Sequence, residues 1–317
     1  MCVKIWYDLF EYKNMRYTLM ISLDIAIREY TTIENVIESF KSVNDINKHY
    51  KIKIILFKFV ALEVLPVIVA LIKLKKQEGY SIELKIEGNN TYAQRIDFYR
   101  NLDIEIEENF ERHESNGRFI EITKFNKDNN VDLVNSIIRI FRDNLDIDNK
   151  VLGCMNYCFF EVVDNVENHA NSPIDGYLTA QRFPKEGAIR VTIVDCGIGI
   201  HKSLTEGKNE KYANLTESEA LEYCVKEKVT NGKGGGNGLF NTRRFIECNK
   251  GVLKIYSGNK KIIIYDEVQE IENIPYFQGT IISLYVKMNN TVELEEIFGD
   301  NIPTTVEEVD DCIEELW

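Results

Sequence analysis

The sequence predicts an α/β protein of two parts. Roughly its first hundred residues alternate between short apolar strands and amphipathic helices, the pattern of a small layered domain. From about residue 131 a pair of helices runs into strand pairs separated by glycine-rich turns. At 317 residues the chain is long enough for two domains, each with a core of its own. The boundaries this suggests are 1–108 for the first domain, 109–130 for a connector, 131–290 for the second domain and 291–317 for an acidic tail.

With 44% hydrophobic and 28% charged residues, the composition is that of a globular protein and excludes a disordered or fibrous chain. The formal net charge is −13, and ten acidic residues lie between Met288 and Trp317, where Lys and Arg are absent, leaving −3 for the rest. No basic stretch is large enough to offset a phosphate backbone, which argues against nucleic acid as a partner. The seven cysteines are scattered without a CxxC pair, as expected in a reducing, cytoplasmic compartment. Cys154 and Cys158 sit one helical turn apart, a spacing that suits core packing better than a metal site. The N-terminus has no apolar leader, and the most apolar run, Phe59 to Leu74, is broken by Glu63 and Pro66 and is too short to span a bilayer comfortably. A soluble protein is expected.

In order along the first part, Tyr17 to Leu23 reads as a strand and Thr31 to Val43 as a helix with a hydroxyl start. Lys51 to Phe59 is a buried strand, followed by a helix from Glu63 to Lys76 with Pro66 in its first turn. Ser81 to Glu87 is a third strand and Thr91 to Leu102 a third helix. The pattern resembles a STAS-type domain, the anti-anti-sigma fold. Members that act as phospho-switches carry Ser or Thr at the start of the helix after the central strand. Here that stretch, Phe57 to Pro66, has no hydroxyl, so the resemblance implies a binding or scaffolding role. The connector holds one strand, Phe119 to Lys124, and a loop histidine, His113.

The second part opens with a helix from Val131 to Leu145, then one from Asn149 to Ala170. On this second helix Glu161, Asn165, Asn168 and His169 share a polar arc, opposite an apolar stripe of Met155, Phe159, Val162, Val166 and Ala170. A carboxylate can take a proton from a nucleophile, and an amide oxygen can ligate a hard cation without adding charge. Strands Gly176 to Phe183 and Ala188 to Val194 lead to Asp195, Gly197 and Gly199, where alternate glycines let the backbone approach a planar ligand. The free Asp195 carboxylate can accept from an exocyclic amine. His201 to Lys233 is a long charged excursion with one helix, Glu217 to Lys228. It ends in Lys233, Gly234, Gly236, Gly238 and Leu239, running into a helix from Asn241 to Cys248: glycine-rich backbone at a helix N-terminus is an anion cradle. Strands Val252 to Ser257, Lys261 to Asp266 and Thr280 to Val286 close the domain.

In order and spacing, these motifs resemble the GHKL ATPase superfamily (gyrase, Hsp90, histidine kinase, MutL) over residues 131–287. Glu161-x-x-x-Asn165-x-x-Asn168-His169 is similar to its N box, Asp195-x-Gly197-x-Gly199 to the G1 box, Gly234-x-Gly236-x-Gly238-Leu239 to the G2 box, and Gly279-Thr280 to the final box. The resemblance implies a Bergerat-type α/β sandwich, a mixed sheet covered on one face by helices, binding ATP and Mg²⁺. Asn165 would hold the metal, Glu161 would orient or deprotonate the nucleophile, and Asp195 would read the adenine amine. Gly197 and Gly199 would floor the base, Thr280 would contact its end, and Gly234, Gly236 and Gly238 would cradle the phosphates under a lid from His201 to Lys233. Asn168 stands where branches of the superfamily differ. Lys233 could reach the γ-phosphate or be a solvated lid residue.

The implied function is a regulatory ATPase, or an anti-sigma-like kinase that phosphorylates Ser or Thr on a protein partner. The alternatives are a non-catalytic ATP-gated interaction module and a histidine-kinase-like catalytic domain, the latter weakened by the lack of a phosphoacceptor hairpin. A protein partner is expected, and a homodimer is compatible with the acidic tail. There, Val306, Val309, Ile313 and Leu316 define an amphipathic helix over Thr304 to Trp317, able to pack on its own domain or dock elsewhere.

Overall fold

A computed structural model describes residues 4–12, 16–43, 48–88, 90–115, 117–126, 128–146, 149–168, 172–230 and 237–298, with backbone alone for 4–20, 150, 154, 157, 165–168 and 294. The chain divides into two compact units, residues 1–113 with 121–123, and residues 114–120 with 124–317.

The first unit holds a four-stranded sheet of order β1-β2-β3-β4. β1 (Lys4–Tyr12) pairs antiparallel with β2 (Arg16–Ile27), and β3 (His49–Leu56) and β4 (Ser81–Glu87) continue in parallel. Helices α1 (Ile33–Phe40) and α2 (Val64–Gln77) make the crossovers that parallel strands require. α1 starts at Thr32, whose hydroxyl accepts from the Asn35 amide in a capping box. α2 is buried from Val64 to Ile72 and again at Leu74, so the most apolar stretch of the sequence is a core helix. No described helix is long and apolar enough to cross a membrane.

Two sequence expectations change here. β1 was not foreseen, and the expected helix Thr91 to Leu102 is two short pieces, α3 (Thr91–Arg95) and α4 (Phe98–Asn101). Asp97 between them takes a left-handed φ of 62°, and its carboxylate accepts from Arg112 Nη2 at 2.6 Å. Asp tolerates that conformation better than most residues. A distant guanidinium thus fixes a break that local propensity does not show.

The second unit is built on a five-stranded sheet of order β5-β6-β7-β9-β8. Its elements run β5 (Phe119–Phe125), α5 (Asn130–Arg142), α6 (Asn149–Asn168), β6 (Gly176–Phe183), β7 (Ala188–Asp195), α7 (Gly199–Thr205), a 3-10 turn (Glu210–Tyr212), α8 (Glu217–Cys224), α9 (Gly238–Asn249), β8 (Val252–Tyr265), β9 (Val268–Lys287) and α10 (Leu294–Phe298). β6, β7, β9 and β8 are mutually antiparallel neighbours. The strand expected within the connector thus belongs to the sheet, with the Arg118 carbonyl accepting from the Arg182 amide at 2.9 Å. The strands expected at 252–257 and 261–266 are one strand, bulged between Ser257 and Lys260, and Thr280 lies well inside the long β9. The tail expectation over Thr304 to Trp317 lies outside the described residues.

Alternation fixes which face of the sheet is covered. Ile189, Val191 and Ile193 of β7 and Ile282, Leu284 and Val286 of β9 join one core with residues of α5, α6, α9 and α10. Cys158 is buried in that core. Phe141 of α5 is its hub, its ring centroid 5.5 Å from Phe159 on α6 and 6.4 Å from Phe245 on α9. The architecture is thus mixed α/β, with helices packed on one face of the second sheet. Because Phe141 ties α6 to α9, Phe141→Ala is expected to destabilise the second unit by about 3–5 kcal/mol. Urea unfolding followed by near-UV circular dichroism checks it; a loss under about 1 kcal/mol would mean the helices are held elsewhere.

Candidate functional site

β7 is buried at every residue but Arg190 and delivers Asp195 to its end with a relative exposure of 4%. Antiparallel register sets Thr280 of β9 opposite Asp195, and Ser257 of β8 on the far side of Thr280. The Gly197 amide donates to Asp195 Oδ1 at 2.8 Å. Both the hydroxyl and the amide of Thr280 donate to the same carboxylate. Burial pushes the Asp195 carboxyl up to about 6, against the pull of these donors from Gly197 and Thr280.

Two glycines make this packing feasible. Gly279 has a φ of +105°, and a Cβ there would overlap the Asp195 carbonyl oxygen and lie 2.7 Å from Cys196 Cα. Gly199 has a φ of +76°, and a Cβ there would lie 2.7 Å from Ser257 Oγ. Only glycine fits either backbone without strain. The sequence-expected residues Asp195, Gly197, Gly199 and Thr280 are therefore brought together where the end of β7 lies beside the middle of β9. Two residues that sequence reasoning missed join them. Ser257 Oγ donates to the Gly279 carbonyl at 2.9 Å and accepts from the Ile200 amide at 2.9 Å. Gln278 Nε2 donates to the Cys196 carbonyl at 3.2 Å.

A second constellation lies where α6 meets α9. Glu161 is half-buried, and Gly238 at the start of α9 faces it closely. A Cβ on Gly238 would lie 2.6 Å from Glu161 Cβ and 2.9 Å from Glu161 Oε2. The Thr242 hydroxyl donates to the Gly238 carbonyl at 2.8 Å, and Leu239 packs against the core. Asn165 and Asn168 lie further along the α6 backbone, Asn165 one turn beyond Glu161. His169, Lys233, Gly234 and Gly236 lie outside the described residues. The ends flanking the glycine-rich stretch are joined, since Asn237 Oδ1 accepts from the Lys228 amide at 3.1 Å.

The segment after Gly199 differs from the polar excursion expected. It holds α7, the 3-10 turn and α8, which stops at Cys224 short of the expected Lys228. Leu204, Tyr212 and Ala220 form a small core of their own, flanked by Ile200, Leu215, Tyr223 and Val229. The ring nitrogen Nε2 of His201 hydrogen-bonds the Leu215 carbonyl at 2.8 Å. Glu217 at the start of α8 accepts from the amide of Asn259 at 3.3 Å and from its side chain at 3.4 Å. These apolar residues are spaced singly among charges, so the average polarity hides them.

Comparisons with models of known families, with characterised proteins and with solved structures find no match for the chain. Among the described residues, no group of three or more His, Cys, Asp or Glu side chains could hold a metal ion.

The Asp195 carboxyl carries a stability consequence. Its ordinary value is 3.8 and the folded value about 6, so the folded state keeps the proton to higher pH. The cost of burying the charge is absent below 3.8 and complete above 6, where it amounts to about 3 kcal/mol. Asp195→Asn removes that titration. Urea unfolding across the pH range is expected to show the Asn variant gaining on the parent as pH rises through that window, then holding level. A difference that does not vary with pH would mean the carboxyl is not held protonated by the fold.

Proposed function

We propose that the second unit binds Mg·ATP in the manner of a GHKL ATPase, on a Bergerat-type sheet, and that the protein is a regulatory ATPase or protein kinase. The observation that carries this is the buried Asp195 carboxylate, oriented by Gly197 and Thr280 at a place where Gly199 and Gly279 keep side chains away. A carboxylate aimed by fixed donors discriminates a base that presents an amine there from one that presents a carbonyl.

In this reading Asp195 accepts from the exocyclic amine of adenine, while Gly197, Gly199 and Thr280 shape the surrounding floor. The amides of Gly234, Gly236 and Gly238 receive the phosphates at the start of α9, with Leu239 anchoring that turn to the core. By the resemblance, Lys233, Asn168 and His169 would belong to the phosphate end of the site. Mg²⁺, held by Asn165 and phosphate oxygens, would offset the triphosphate charge. The amide oxygen of Asn165 suits a hard cation, and the residue stands one helical turn past Glu161. Glu161, against Gly238, takes the proton of the attacking oxygen, from water or from a Ser or Thr hydroxyl on a protein. That oxygen bonds to the γ-phosphorus as the bond to the β–γ bridging oxygen breaks, and ADP leaves.

The first unit, with its parallel β2-β3-β4 core, supports a STAS-like reading as a binding or scaffolding domain for a protein partner. No Ser or Thr stands between Phe57 and Pro66 to be phosphorylated.

Thermal unfolding with and without Mg·ATP tests the proposal. At a hundred times the dissociation constant, stabilisation should reach about 2.7 kcal/mol, and an unmoved melting temperature at millimolar Mg·ATP sinks the assignment. Glu161→Ala is expected to keep that stabilisation while losing about 10²- to 10⁴-fold in phosphate release or transfer. Turnover at the parent's rate would turn the reading to an ATP-gated interaction module.

A further inference from the structure

Ser257 has no part in the nucleotide contacts proposed above, yet it is 4% exposed and both of its hydrogen-bonding partners are backbone groups of the site. It accepts from the Ile200 amide and donates to the Gly279 carbonyl, both at 2.9 Å. One hydroxyl thus bridges the turn that starts α7 and the residue preceding Thr280. Neither backbone group can be released cheaply, because a buried amide or carbonyl left unpaired costs about as much as the bond it lost. Close packing adds a second constraint. Gly199 faces Ser257 Oγ and then the Gly279 carbonyl, the nearest atoms a Cβ would meet at 2.7 and 3.2 Å.

The next residues extend the same connection. Past Ser257, β8 bulges, and Asn259 in the bulge bonds Glu217 at the start of α8. Residues 257–259 therefore hold α7 by its first turn and α8 by its N-terminal carboxylate. Ser257 itself pairs with Thr280, which donates to Asp195.

The geometry points to Ser257 as a positioning residue for base recognition: its hydroxyl locks the Gly199–Ile200 turn onto Gly279, and so fixes where Thr280 holds the Asp195 carboxylate. This rests on the ATP reading of the same site. Without the bridge, β9 and the Gly199 turn shift independently. Asp195 then loses its aim before the phosphate end is affected. The consequence is a loss of discrimination between an amine-bearing and a carbonyl-bearing purine, which loss of stability alone does not produce.

The test is equilibrium binding of Mg·ATP and Mg·GTP to the full chain by calorimetry, for the parent, Ser257→Ala and Ser257→Thr, with melting temperatures taken without nucleotide. Ser257→Ala is expected to lose about tenfold in ATP affinity and markedly less for GTP, so that the preference for ATP falls. Ser257→Thr, which keeps the hydroxyl on a strand that suits a β-branched residue, is expected to retain the preference. Should the Ala variant not fold, Ser257→Cys keeps the volume with a weak donor and takes its place. A variant lacking the hydroxyl that weakens both nucleotides equally, or neither, overturns the positioning role while the ATP reading stands. A parent that binds neither nucleotide overturns both.

Discussion

The candidate site depends on how closely β9 passes the end of β7. At Gly279 the two backbones approach until no side chain fits between them, and a Cβ would press into the Asp195 carbonyl and Cys196. That approach puts the Thr280 hydroxyl and amide within reach of the Asp195 carboxylate. It also lets Gln278 bond the Cys196 carbonyl and sets Ser257 beside the same backbone. Three strands of one sheet supply these groups, and strands hold geometry better than loops do. The carboxylate is thus aimed by the sheet itself.

The arrangement works against stability. A carboxyl held near 6 by burial costs folding energy at neutral pH that an Asn of the same shape would not. Two residues donate to it, and desolvation still outweighs them. In the proposed reading, a ligand that brings a further donor would offset part of that cost on binding, and the penalty of the free protein would become selectivity in the bound one. Strongly shifted groups with specific partners tend to mark sites for this reason.

What was legible in the sequence follows the range of the interactions. Asp195, Gly197 and Gly199 announce themselves because the constraint is local, a turn needing small residues after a strand. The run α5, α6, β6, β7 was legible from its periodicity, Ile189, Val191 and Ile193 alternating into the core. The contact of Gly238 with Glu161 depends on α9 crossing α6, and nothing near either residue in sequence encodes it. Ser257 was hidden for the same reason: a lone serine in a strand has no signal until Gly279 and Ile200 stand on either side. The break at Asp97 needed Arg112, and β8 looked like two strands because its bulge interrupts the alternation.

The segment from Gly199 to Val229 shows how much that local view conceals. Read for polarity it is an excursion; folded, Leu204, Tyr212 and Ala220 bind its pieces into one body. It is also fastened to the main core, where Leu221, Cys224 and Val225 are buried. Ile200 is held by Ser257, Glu217 by Asn259, and Lys228 by Asn237. Gly199 at one end has a φ of +76° and Lys228 at the other a φ of 59°, so both ends turn through left-handed backbone. Displacing the segment would therefore break those bonds and also expose Leu221, Cys224 and Val225, so apolar burial as well as polar contact holds it against the sheet.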